Sequence, residues 1–365
     1  LVFAIMLGMT LSAKATGWLA PLPFVVWATV YRDRAALKAL TLALPIALGV
    51  FVLLNPPLWH DPVGGIVEFL HLNFNRGAQP ELNISTQFLG RMYNLDFPLP
   101  WYNTIFWTAI SVPIPIVLLA CVGLAVSLRH PCRWKAAMLL IFNWLVLVIV
   151  RAIPGTPPHD GIRLFLPSFA FLAAIAGLGA ARLIAKAGDM KRPYVQAVVV
   201  ALIASGYIGS ATSVYWYYPC WLSYYNLAIG GLRGAADRGM EPTYYWDAMD
   251  ESVIAWLHQN TPDNEKIRFA AGPRHNLQLL EEWNILWRQY LPQAPGKFRW
   301  YVLQHRPSGL QPHDQWLIAN RQPVFRKTLG SDGWWAWNRD VPLVEVYKYS
   351  DHEQARLATG GGATH

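Results

Sequence analysis

The sequence predicts a polytopic α-helical membrane protein with a small C-terminal extracytoplasmic α/β domain. Three observations lead there. Of 365 residues, 54% are hydrophobic and 14% charged, against about 25% charged in soluble domains. Seven long apolar runs precede residue 215, and a spanning helix needs about 20 mostly apolar residues. The charge is unevenly placed. Residues 1–213 hold 15 Lys/Arg and 7 Asp/Glu, residues 214–365 hold 15 of each, so the net charge of +8 lies wholly in the apolar part. That balance is the mark of cytoplasmic loops, where Lys and Arg are retained, and requires no nucleic acid. Eighteen Trp fit an interfacial aromatic belt.

In order, the expected spans are Leu1–Ala13, Ala15–Tyr31, Ala39–Leu54, Trp101–Leu128, Ala136–Val150, Leu164–Ala181 and Tyr194–Val214. The first lacks an initiating Met and a signal-peptide start, so the chain reads as a fragment without its native N-terminus. The prolines inside these runs are tolerable where neighbouring helices satisfy the freed carbonyls. The short loops Arg32–Lys38, Arg129–Lys135 and Arg182–Arg192 carry 3, 3 and 4 basic residues; the longer loops Asn55–Pro100 and Arg151–Arg163 carry 2 each. The first set is therefore expected in the cytoplasm and the second outside, with Lys14 and everything after Val214 outside too. The resulting division is a transmembrane domain over 1–214 with external loops 55–100 and 151–163, an α/β domain over 215–350 and a disordered tail over 351–365.

Within the first external loop, Val63–Asn75 reads as an amphipathic helix able to lie on the membrane surface. Asn83-Ile84-Ser85 matches a glycosylation acceptor, a triplet that also arises by chance. In the C-terminal domain, Asp247–Gln259 and His313–Asn320 read as helices, and Ile267–Ala271, Trp300–Gln304 and Leu343–Lys348 as strands. There is no glycine-rich phosphate loop and no nucleophile elbow. Cys121, Cys132 and Cys220 show no metal-ligand spacing and read as small packing residues.

The residues able to carry chemistry fall at the expected external rim. Lys14, followed by Thr16-Gly17, lies between two apolar runs; it either snorkels to the interface or binds a phosphate. Asn55-Pro-Pro-Leu-Trp-His-Asp-Pro stops a span and sets Trp59, His60 and Asp61 where lipid ends. It is either a plain helix stop or an acid/base and sugar-contacting rim. Pro154–Arg163 is a rigid turn with His159-Asp160 that delivers Arg163 to the start of the next span. An Arg there either anchors the helix or clamps a phosphate bidentately. The two His-Asp pairs with His71 leave room for a divalent cation, although adjacent His-Asp is not ordinary ligand spacing. Tyr218, Tyr224 and Asn226 belong to an aromatic stretch that either stacks on sugar rings or packs at the interface.

These motifs in this order, from Lys14-Ala-Thr-Gly through Asn55-Pro-Pro-Leu-Trp-His-Asp-Pro and Arg163-Leu-Phe-Leu-Pro to Tyr218-Pro-Cys-Trp-Leu-Ser-Tyr-Tyr-Asn226, Gly230-Gly231, Gly234-Ala235 and Trp246, resemble a family. It is that of bacterial membrane glycosyltransferases of family 39, the protein-mannosyltransferase and aminoarabinose-transferase type with the GT-C fold. The resemblance covers roughly Leu1–Trp256. It implies transfer of a sugar from a polyprenyl-phosphate donor to a protein, lipid or glycan acceptor on the outer face. It implies that Lys14 and Arg163 hold the donor phosphate. Trp59, His60, His159, Tyr218, Tyr224 and Asn226 are the candidates to contact the substrate. The family's main catalytic acid lies upstream of this chain, and the acid some relatives carry just before the lysine is Ala13 here. Asp61 and Asp160 are the external acids left for catalysis, and the fragment alone is expected to be inactive. No nucleic-acid partner is implied; membrane lipid is.

Two other classes compete. A transporter or flippase for lipid-linked sugars would show broken helices and charges at mid-membrane, whereas the ionisable residues here sit at rims. A membrane-anchored glycan receptor would not need seven spans.

Overall fold

The computed structural model describes residues 1–75, 84–154, 156, 158, 161–245, 248–262, 265–270, 274–286, 290–291, 298–329 and 341–349. Two compact units divide the chain, one made of Leu1–Ile84 and Tyr93–Ser210, the other of Ser85–Met92 and Ala211–His365. The short piece 85–92, expected in an external loop of the membrane domain, groups with the C-terminal unit.

The first unit is helical: α1 (Val2–Ala13), α2 (Pro21–Val30), α3 (Arg34–Leu54), α4 (Pro62–Phe74), α5 (Asn103–Ser111), α6 (Ile114–Arg129), α7 (Lys135–Ala152), α8 (Phe169–Asp189) and α9 (Pro193–Trp216). Four described helices are long and apolar enough to cross a membrane: Arg34–Leu54, Lys135–Ala152, Leu166–Asp189 and Pro193–Trp216. Val2–Ala13, Ala15–Val30 and Ile114–Arg129 are apolar but shorter, so three of the seven expected spans fall short of that length. The expected single span Trp101–Leu128 is two helices. Val112 takes an extended conformation before Pro113, as the clash of a proline ring with the preceding residue requires.

Two sets of contacts build this unit. Leu7, Leu11, Ala47 and Phe51 join α1 to α3, with Ile66 and Phe69 of α4 against them. Val63 and Val67 of α4 are exposed. In the second set, α6 and α8 cross at Gly123 and Gly179. A Cβ on Gly123 would fall 2.0 Å from Ile175 O, and one on Gly179 would fall 2.0 Å from Leu119 O. Only hydrogen fits between backbones this close, the small-residue device of membrane helices.

The second unit starts with the hairpin β1 (Thr86–Phe88) and β2 (Arg91–Tyr93). It continues through α10 (Gly231–Asp237), α11 (Glu251–Asn260), β3 (Ile267–Phe269), α12 (Arg274–Glu282), β4 (Tyr290–Leu291), β5 (Trp300–Gln304), α13 (Pro312–Asn320), β6 (Phe325–Thr328) and β7 (Pro342–Lys348). Five described strands form one mixed sheet in the order β4-β3-β5-β7-β6. β3 is parallel to β4 and β5, and β7 is antiparallel to β5 and β6. Helices cover both faces, so β5 is buried throughout. Trp256 of α11 packs edge-on against Trp300 at 5.2 Å on one face, and Leu317 of α13 joins Tyr301, Leu303 and Tyr347 on the other. α11 begins later than expected because Asp250, not Asp247, is its N-cap, accepting from Ser252 N at 3.1 Å. Asp247, Asn83 and the tail 351–365 lie outside the described residues.

Candidate functional site

α1 stops at Ala13, and Lys14 takes extended backbone angles (φ −164°, ψ 150°). The chain doubles back through a 3-10 turn, Ala15–Leu19, closed by Gly17 N–H donating to Lys14 O at 2.8 Å. Gly17 lies on the last turn of α1, where a Cβ would come 2.0 Å from Thr10 O; a side chain there would push the turn away. Trp18 then locks the turn down, its ring edge-on to Phe51 at 5.1 Å. The outcome is a half-buried Lys14 whose ammonium donates to Arg163 O at 3.4 Å. The bond is long and weak, but it brings together residues 149 positions apart. Arg163 itself is exposed, in the turns that lead through Leu166–Ser168 into α8.

The end of α3 reaches the same place. Asn55 is its C-cap, and the side-chain Nδ2 donates to Phe51 O at 2.6 Å and to Ser12 Oγ at 3.4 Å. Asn55 thus fastens α3 to the last turn of α1, two residues before Lys14. Trp59 folds its indole N–H onto Val52 O at 3.0 Å and leaves its ring 58% exposed. His60 and Asp61 follow, both exposed. Ser12–Lys14, Asn55–Asp61 and Arg163 therefore share one end of the helical unit. The 21 residues of α3 put the basic turn at its other end about 30 Å away, at 1.5 Å per residue.

Asp61 has a structural occupation: as N-cap of α4, its Oδ1 accepts from Gly64 N at 2.9 Å. Asp61→Asn preserves the cap, while Asp61→Ala removes about 1 kcal/mol of helix stability. Thermal unfolding is expected to leave Asp61→Asn like the unmodified protein and to show Asp61→Ala less stable; equal stability of the two variants would show that the cap contributes nothing.

Tyr218, Tyr224 and Asn226 belong to the second unit. Tyr218 presents an exposed ring, edge-on to Trp221 at 5.5 Å. Tyr224 is partly buried against Tyr217 at 5.1 Å; burial raises its hydroxyl pKa, and a hydrogen bond with Ser213 opposes the shift. Asn226 is buried, and its Oδ1 accepts from Ala228 N at 2.9 Å, so it holds a turn. His159, Asp160 and Trp246 lie outside the described residues. Among the described residues, no group of three or more His, Cys, Asp or Glu is placed to hold a metal ion. The cysteines are free thiols; Cys220 is buried, but Cys121 and Cys132 are exposed and so do not fill a protein core as expected.

The arrangement Asn55–Ser12 and Gly17–Thr10 was not anticipated as part of the site. Its signal is faint: an Asn between an apolar helix and Pro-Pro is a helix-stop pattern, and nothing in it names Ser12 as partner.

By length and composition, this fold has the character of a helical membrane protein with a small sheet-containing unit. Comparison with family models, with curated proteins and with solved structures gives no match.

Proposed function

We propose that this chain belongs to a membrane glycosyltransferase of GT-C type, which moves a sugar from a polyprenyl-phosphate donor to an acceptor on the extracytoplasmic face. The observation that carries the reading is the meeting of Lys14 and Arg163 at the end of the helical unit remote from the basic turns. A lipid-borne donor must be gripped where lipid meets water, and its anionic phosphate calls for cations there. During transfer the bond from the sugar's anomeric carbon to the phosphate oxygen breaks, and the electron pair leaves with the polyprenyl phosphate. Cations on that phosphate stabilise the charge as it builds. The acceptor oxygen forms the new bond and gives its proton to a carboxylate; Asp61 is the candidate acid at this end. With the basic loops taken as cytoplasmic, Lys14 and Arg163 would face outside.

Transfer from a synthetic polyprenyl-phosphate sugar, measured in nanodiscs with the intact membrane protein, tests the reading. Lys14→Ala and Arg163→Ala are each expected to lower turnover about 100-fold, with helical content unchanged. Undiminished transfer in either variant removes that residue from the phosphate clamp. Native Cys132, exposed in the second basic turn, reports orientation. An impermeant thiol reagent is expected to leave it unlabelled in intact cells and to label it after lysis; labelling in intact cells inverts the topology.

A further inference from the structure

At the basic end of the helical unit, two turns are tied together. Tyr31 donates its hydroxyl to Pro131 O at 2.9 Å, and Trp27 donates its indole N–H to Lys135 O at 2.7 Å. The Lys135 ammonium lies 5.4 Å from the centre of the Tyr31 ring, a cation–π contact. The α2–α3 turn is itself tightly closed, with Arg32 at φ 52° and Asp33 N–H donating to Ala28 O at 2.8 Å. Six cations are thereby collected from two sequence-distant turns: Arg32, Arg34 and Lys38 from one, Arg129, Arg133 and Lys135 from the other, all exposed. The single acid among residues 31–38 and 129–135 is Asp33, and its carboxylate is engaged as the N-cap of α3, accepting from Ala36 N at 3.0 Å. Retention of Lys and Arg inside the cell explains basic loops, but it does not require two of them to be pinned to each other by side chains.

The surface next to these cations is apolar. Val26 and Val30 of α2 and Leu128 of α6 are exposed immediately beside the two turns. A ligand that matches both zones has an anionic head and hydrocarbon chains. We infer that the joined α2–α3 and α6–α7 turns form a binding site for an anionic phospholipid, its phosphate seated among Arg32, Arg133 and Lys135 and its chains along α2 and α6. The inference does not depend on the glycosyltransferase reading: the site lies at the other end of the unit and uses none of the same residues.

The test titrates the full chain, purified in a neutral detergent, with short-chain phosphatidylglycerol and follows tryptophan fluorescence. Each basic residue near an anionic surface is worth about a fivefold factor in affinity. Arg32→Ala/Arg133→Ala is therefore expected to weaken binding about 25-fold, and binding should fall steeply with salt. Lys191→Ala/Arg192→Ala, which removes two cations from the α8–α9 turn, should change it by less than about twofold if the site is local. Arg32→Lys/Arg133→Lys keeps the charge and should retain most of the binding. Equal losses in the two alanine pairs would reduce the effect to diffuse surface potential and overturn the site. Binding of phosphatidylcholine of the same chain length with the same affinity would overturn it as well. So would displacement of the lipid by inorganic phosphate at equal concentration, which would make the site one for the free anion.

Discussion

Gly179→Ala is expected to loosen the helical unit by about 2–3 kcal/mol, whereas Gly177→Ala, two residues away on the same helix, should be neutral or slightly stabilising. The difference is purely one of position. Around Gly177 an added Cβ meets nothing within 4 Å, while at Gly179 it falls 2.0 Å from Leu119 O and 2.9 Å from Gly123 N. Both obstacles are backbone, so no side chain can swing aside; α6 and α8 must separate. At Gly177 the substitution only adds helix propensity, worth up to about 1 kcal/mol. Gly179→Leu would force a larger separation and should prevent Leu119, Ala120, Leu172, Ala176 and Ala180 from closing into one cluster. Thermal unfolding of the intact chain in detergent, followed by circular dichroism, measures all three variants. Equal stability of Gly177→Ala and Gly179→Ala would mean that α6 and α8 do not approach as described.

The second large effect is expected from Glu345, buried in the middle of β7. Its Oε2 accepts from His305 Nε2 at 2.7 Å and from the Tyr347 hydroxyl at 2.5 Å, and its Oε1 accepts from Arg326 Nε at 2.6 Å. Burial alone would raise the carboxyl pKa. The hydrogen bond and charge of His305, with the bonds from Tyr347 and Arg326, outweigh it and hold the group down at about 2. A pKa depressed in the folded state stabilises the fold above the ordinary glutamate value, and that contribution fades as pH falls from about 4.3 toward 2. The shift corresponds to roughly 3 kcal/mol. Glu345→Gln keeps the shape but removes the carboxylate that Arg326 and the Tyr347 hydroxyl bond, at a cost of about 2 kcal/mol at neutral pH. Hydrogen exchange of peptides spanning 300–304 and 342–348 in the full chain should show faster exchange in the variant at pH 7, with the gap narrowing at acid pH. Protection that is the same in both proteins at pH 7 would show that the network contributes nothing net.

Much of the helical unit was readable because lipid imposes one rule, that a spanning backbone must bond within itself; each of the seven apolar runs is helical. Lengths were less readable. Residues 101–128 looked like one span because prolines inside membrane helices are common, and because the short α5 hides polar side chains. Thr104 is buried and donates its hydroxyl to Val148 O at 3.0 Å, a partner in another helix that a local pattern cannot reveal. In the second unit β5 and β7 are plain runs of β-formers, but β6 was missed. Its Phe-Arg-Lys-Thr looks like a solvated turn until the partners are known: Arg326 bonds Glu345, and Lys327 is paired with Asp250. Of the candidate site, Lys14 and Arg163 could be assigned to one rim by counting apolar runs between them. The clasp of Asn55 on Ser12 and the seat of Gly17 on Thr10 are matters of side-chain and backbone proximity and left no trace in spacing.

The place of β7 in the sheet has a consequence for how the protein is made. It is the last described strand in the chain, yet it lies between β5 and β6 and pairs with both. A ribosome therefore releases every other described strand of this sheet before the one that joins them. The piece that carries β1 is released far earlier still, and Gln87 N waits for Glu241, its partner at 3.0 Å, until more than 150 further residues have been translated. Contacts so distant along the chain form slowly, and the unjoined edges of β5 and β6 stay exposed to misassembly until translation has passed Lys348.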